Sequence, residues 1–134
     1  MCRSLPDSFA NFSYADIVGY AEAHGVAVIE RDLEARLGAY FEPERVIVVA
    51  SGLALFQKRA TLTHELVHWF YGHDGCQPIR TELKVNKRVA GLLIDAVEFD
   101  VACRLSPSNI EGVAFYLNLP VWVVDTYKNI VNTA

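Results

Sequence analysis

His64-Glu65-Leu66-Val67-His68 sets two imidazoles four residues apart, with a carboxylate directly after the first. On an α-helix that spacing leaves the two rings about 40° apart around the axis, so their nitrogens converge from one face. Two converging imidazoles are half of a tetrahedral zinc site. Glu65, one step round the helix, can reach a water beside the metal from the side, where a general base for metal-assisted hydrolysis must stand. The bland alternative is a pair of solvated or merely hydrogen-bonded histidines. Residues 61–73 read as a helix with Leu62, Leu66, Trp69 and Phe70 on its apolar surface and no proline or glycine before Gly72. On such a half-buried helix these polar groups are costly without partners, and a metal would supply one.

A third ligand is expected from the next helical stretch, residues 80–94. Its apolar stripe runs Val85, Val89, Leu92 and Leu93, and a 3.6 period extends that stripe toward the N-terminus through Glu82 and Asn86, while Lys84, Lys87 and Gly91 fall on the other side. Taken alone, Glu82 is a carboxylate favoured at a helix start by the dipole and fully solvated. Joined to the two histidines it completes a His-His-Glu set with one coordination position left open, the ligand count of a catalytic zinc site. Asn86, one turn on, would hydrogen-bond the far nitrogen of a ligating histidine and fix its tautomer.

These residues carry a resemblance. Residues 58–68, from Lys58 and Arg59 through Thr61 and Thr63 into His64-Glu65-Leu66-Val67-His68, followed by Gly72-His73, resemble the core of the ImmA/IrrE family of zinc metallopeptidases. That family has a basic, Thr-containing approach, H-E-L-x-H and a following G-H. Its E-x-x-x-N…L-L segment is matched at Glu82, Asn86, Leu92 and Leu93. The similarity covers residues 44–95. It departs at Val67 (usually glycine), Val85 (alanine), Arg88 (phenylalanine) and Asp95 (proline), all outside the ligand positions. The resemblance implies a zincin-like core, a bound Zn2+, and a protein substrate, typically a helix-turn-helix repressor governing a phage or mobile element.

The rest of the chain must position these groups. Its 134 residues suit one domain, and 52% hydrophobic with 21% charged residues is a globular composition. A net charge of −4 gives no electrostatic reason to expect nucleic acid as the main partner. No apolar run suits a bilayer span and no basic-then-apolar start suits a signal peptide, so a cytoplasmic protein is expected. Cys2, Cys76 and Cys103 are odd in number and widely spaced, which argues for free thiols; Cys76, close to the metal helix, either visits the site or is an ordinary loop thiol.

The expected class is α+β: a small antiparallel sheet packed with helices and followed by a C-terminal helical part. Residues 1–12 read as a loose lead-in. Ser13-Tyr14-Ala15-Asp16 resembles a capping box for a first helix, whose face is Ile17, Tyr20 and Ala21 and whose stop is His24-Gly25. Residues 26–31, 38–42 and 45–50 read as strands, with Glu42-Pro43-Glu44 a tight turn between the last two. The third strand directly precedes the metal helix and could offer an edge to an extended substrate. Residues 95–104 are less clearly patterned but could continue helically. Ser108-Asn109-Ile110-Glu111 reads as a capping box for a helix through Leu117, and residues 121–131 as a final helix. Within this extension, residues 107–134, there is one Lys and no Arg, too little to neutralise phosphates in a helix-turn-helix mode. It is expected to pack on the core or shape a substrate cleft.

Two functions from different classes follow. The first is a zinc endopeptidase in which His64, His68 and Glu82 hold the metal and Glu65 moves the proton. Tyr71 and His73 stand near the motif as candidate oxyanion or substrate contacts, and Tyr116 and Tyr127 come from the tail. The second is a regulatory or antirepressor-like binding module that keeps the zinc fold with little turnover.

Overall fold

The protein is described by a computed structural model covering residues 2 to 133. Among these residues the order is α1 (Tyr14–Ala23), β1 (Ala27–Arg31), β2 (Gly38–Phe41), β3 (Val46–Ala50), α2 (Leu55–Tyr71), α3 (Ile79–Leu93), α4 (Ala96–Leu105), α5 (Ile110–Leu117) and α6 (Val121–Thr133). Six helices and one small sheet make an α+β fold. No helix among them is long and apolar enough to cross a membrane.

Val46 to Ala50 is an unbroken apolar run because β3 is the middle strand, with Ile47, Val48 and Val49 all buried. The strand order is β1-β3-β2, with β1 parallel to β3 and β2 antiparallel to it. The sheet is therefore mixed, not wholly antiparallel as expected, and β3 has no free edge. The reason lies in the link 32–37. Arg31 pairs with Ala50 and Gly38 with Val49, so β1 ends and β2 starts at the same end of β3. Six residues span up to ~20 Å, ample to step across one intervening strand, since two strand spacings are ~10 Å. The link is tied down there: Ala50 N–H donates to Leu37 O (2.8 Å) and Ser51 N–H to Arg31 O (2.9 Å). The unpaired edge beside α2 belongs to β2.

β2 lies very close to α2. A Cβ on Gly38 would stand 2.6 Å from Thr61 Cγ2, 3.0 Å from Val48 O and 3.4 Å from Glu65 Cγ, so only glycine permits this approach. The turn 42–45 joins β2 to β3, and the Glu42–Pro43 peptide is cis.

α1 starts as its sequence foretells: Ser13 Oγ accepts from Asp16 N–H (3.1 Å) and Asp16 Oδ2 accepts from Ser13 N–H (3.0 Å). The stretch before it has no helix or strand, yet it is not loose. Phe9 is fully buried, worth about 2 kcal/mol, and its N–H donates to Leu92 O at the end of α3 (2.7 Å). From α2, the Arg59 guanidinium donates to the carbonyls of Phe9, Ala10 and Phe12 (2.8, 3.1 and 2.7 Å). The lead-in thus straps together the two helices that carry the candidate ligands. Its signal was hidden because a single buried aromatic has no periodicity.

The chain after α3 stops and restarts where a continuation was expected. Ile94 is extended (φ −109°, ψ 124°), and Asp95 caps α4 by accepting from Glu98 N–H (3.0 Å). The cap of α5 is Asn109, whose Oδ1 accepts from Gly112 N–H (3.1 Å), one residue later than expected; Ser108 instead takes a left-handed conformation (φ 56°). Asn118 ends α5 in the same conformation and Pro120 precedes α6, which packs along α3.

Candidate metal centre

α2 buries Leu62, Leu66, Val67 and Trp69 in the core and turns His64, Glu65 and His68 toward β2 and α3. α3 buries Val85, Val89, Leu92 and Leu93, the stripe read from its sequence, and this brings Glu82 from its first turn up to the two histidines. His64 Nε2 lies 3.2 Å from His68 Nε2, His64 Nε2 is 3.2 Å from Glu82 Oε1, and His68 Nε2 is 3.1 Å from the same oxygen.

That triangle fits a metal. Three ligand atoms at about 2.1 Å from a tetrahedral ion lie about 3.4 Å from one another, close to what is seen. One ring proton can bridge only one pair of the three atoms, whereas a cation satisfies all of them at once. Among the described residues these three form the cluster of His, Cys, Asp or Glu able to hold an ion. Burial, then His68, lowers the pKa of His64, and burial lowers that of His68, with Glu82 opposing in both cases. Both rings are thereby biased to the neutral form, the one that has a lone pair to give.

His68 is oriented from behind. Its Nδ1 lies 3.0 Å from His73 Nδ1. The position of His73 follows from how α2 ends: Gly72 adopts φ +71°, and His73 N–H donates to His68 O (3.0 Å), folding the chain back over the last turn. Tyr71, 48% exposed, stacks on the His73 ring (5.5 Å, 25°) and lines neither compartment of the cleft described below. Tyr71 is thus placed behind a candidate ligand, while His73 both backs His68 and lines the smaller compartment. Asn86 borders the larger compartment together with His64.

Glu65 is 8% exposed, and burial, then the Glu82 charge, pushes its carboxyl up to about 8, with Arg36 pulling the other way. It faces a cleft with two compartments that share Arg36, Gly38, His64 and Glu65. One, about 310 Å3, lies between β2 and α2 and includes Cys76 in its lining. The other, about 520 Å3, is closed by Trp122, Asp125 and Thr126 of α6. The tail therefore does shape the cleft, through residues with no sequence motif; Tyr127 packs on Phe99 instead (4.8 Å). Trp122 meets His64 edge-on (6.1 Å, 87°). Arg36 was not foreseen either, since an arginine in an irregular link carries no periodic signal.

Compared with the curated proteins, the chain matches none. The family model described as Peptidase_M78, the IrrE N-terminal-like domain, matches residues 21–91, just over half of the chain. The matched span runs from the end of α1 through the sheet and α2 into α3, taking in His64, Glu65, His68, His73, Glu82 and Asn86 and leaving α4 to α6 outside. A His-His-Glu triangle able to hold a metal, beside a buried glutamate in an open cleft, is thus found within the matched span, and the chain belongs to the Peptidase_M78 family.

Proposed function

We propose that the protein is a zinc-dependent endopeptidase acting on a protein substrate. The observation that carries this reading is the triangle of His64, His68 and Glu82 with the Glu65 carboxyl beside it in the same cleft. Held by the three side chains, Zn2+ would supply Lewis acidity, making water more acidic and a carbonyl more electrophilic. Glu65 takes the proton of the attacking water and passes it to the leaving amine, and its burial makes it a stronger base than a solvated carboxylate. His73 keeps the His68 proton on Nδ1, leaving Nε2 free to ligate; His73 then carries its own proton on Nε2. Asn86 steadies His64.

An extended substrate would add to the outer edge of β2, not to β3, because β3 is paired on both sides while β2 borders the cleft through Gly38, Ala39, Tyr40 and Phe41. By resemblance to the ImmA/IrrE family, the substrate would be a helix-turn-helix repressor of a phage or mobile element, and the setting cytoplasmic.

The alternative is a zinc-fold regulatory module that docks such a partner with little turnover. It draws on one observation: of the two residues expected to stabilise an oxyanion, Tyr71 lines neither compartment and His73 gives its Nδ1 to His68. Glu65→Gln separates the two readings. Assayed on a fluorogenic peptide mixture at matched zinc occupancy, the peptidase reading expects turnover to fall about 10²- to 10⁴-fold with zinc retained. Equal rates in the two proteins would remove Glu65 from the chemistry, and no hydrolysis by either would favour the module.

A further inference from the structure

Peptide hydrolysis puts negative charge on the scissile carbonyl oxygen, and a protein donor aimed at that oxygen is usually worth 10²- to 10³-fold in rate. His73 lines the smaller compartment but gives its Nδ1 to His68, and Tyr71 lines neither compartment of the cleft. One lysine or arginine borders these compartments among the described residues, and it is Arg36, which lines both, together with His64 and Glu65.

Its place is fixed by the topology. Arg36 belongs to the link that crosses the end of β3, where its N–H donates to Leu33 O (3.1 Å) and the next residue, Leu37, accepts from Ala50 N–H (2.8 Å). Two residues on, Gly38 makes the closest approach of strand to catalytic helix, against Thr61 and Glu65. The guanidinium forms no ion pair with a described residue, so its donors are available. Its charge reaches the Glu65 carboxyl across the cleft in which a substrate carbonyl would lie.

We propose that Arg36 is the donor that holds the carbonyl oxygen as it becomes an oxyanion, and so a catalytic residue of the hydrolysis assigned above, on which this assignment rests. In the addition step the water oxygen bonds to the carbonyl carbon, the C=O π pair moves onto oxygen, and the water proton passes to Glu65. In collapse that pair re-forms the C=O bond, the C–N bond breaks, and Glu65 returns the proton to the amine nitrogen. Arg36 exchanges no proton with the substrate and acts by hydrogen bonding and charge alone.

The test uses zinc-loaded full-length protein and two probes of one dipeptide: its N-phosphoryl derivative, a tetrahedral anion like the addition intermediate, and its hydroxamate, which grips the metal without that tetrahedral anion. Affinities are measured by calorimetry, with zinc content read on every sample. Arg36→Ala is expected to weaken the phosphoryl probe at least 10-fold and the hydroxamate less than about twofold, with Arg36→Lys in between. On the peptide mixture, Arg36→Ala should lower kcat by about 10²-fold with KM little changed. An unchanged phosphoryl affinity, an equal loss for both probes, or a zinc-loaded wild type that binds neither probe would overturn the role of Arg36 while the metal site stands. A wild type that takes up no zinc would overturn the metallopeptidase reading, and this assignment with it.

Discussion

His68 and His73 meet nitrogen to nitrogen, Nδ1 to Nδ1 at 3.0 Å, and the same two residues are joined through the backbone by His73 N–H to His68 O, also 3.0 Å. The histidine after the helix stop is thereby locked to a histidine within the helix. Such a partner fixes both the tautomer and the plane of a ligating ring, and losing it typically costs 10- to 100-fold in metal affinity. His73→Ala is expected to weaken zinc by roughly 10-fold or more, while the circular dichroism of the folded chain stays as in wild type. Competition against a chelator of known affinity measures it, and an unchanged constant would reduce His73 to a packing residue.

Trp122 lies outside the span matched by the family model, yet its ring edge meets His64 and walls the larger compartment. Trp122→Ala should keep zinc and lose substrate affinity. The removed aromatic surface is worth about 1–2 kcal/mol, so KM for the best peptides of a mixture should rise about 10-fold with kcat less affected. A silent substitution would mean that α6 packs against the site without touching substrate.

The turn between β2 and β3 makes stability depend on acid. Glu42 forms an ion pair with Arg3 and accepts from Tyr40 Oη (2.7 Å). Arg3 first, then Tyr40, hold its carboxyl below the ordinary value of 4.5. A carboxyl whose pKa is depressed on folding contributes stability that is fully present above its unfolded value and is lost as pH falls through its folded one. Wild type should therefore exceed Glu42→Gln in urea midpoint at pH 7, and the gap should close as pH falls below about 4.3. A gap independent of pH would show that the charge on Glu42 contributes nothing.

α2 and α3 could be read from the sequence because their signals are local and periodic: the i, i+4 histidines, the apolar stripe of α3, and the glycine that ends α2. What stayed hidden depends on pairing over distance. Nothing in residues 26–50 says that β1 skips β2 to lie parallel to β3, and with that skip came both the true free edge and the position of Arg36. Arg59 holds the lead-in by hydrogen bonds 47 to 50 residues apart, and Phe9 reaches farther still, to Leu92, beyond any window. The departures from the family pattern have local explanations. Val67 and Val85 fill the core, Arg88 lies over the Phe70 ring (5.5 Å), and Asp95 caps α4.

The central claim is that His64, His68 and Glu82 together bind zinc, and the direct measurement is metal analysis of chelator-stripped protein after zinc titration and desalting. Wild type should retain about one zinc per chain, as a three-ligand site requires, and gain thermal stability on loading. Glu82→Ala and His68→Ala should each lose most of that zinc while remaining folded. A wild type that retains no zinc and whose melting temperature does not respond to it would contradict the account.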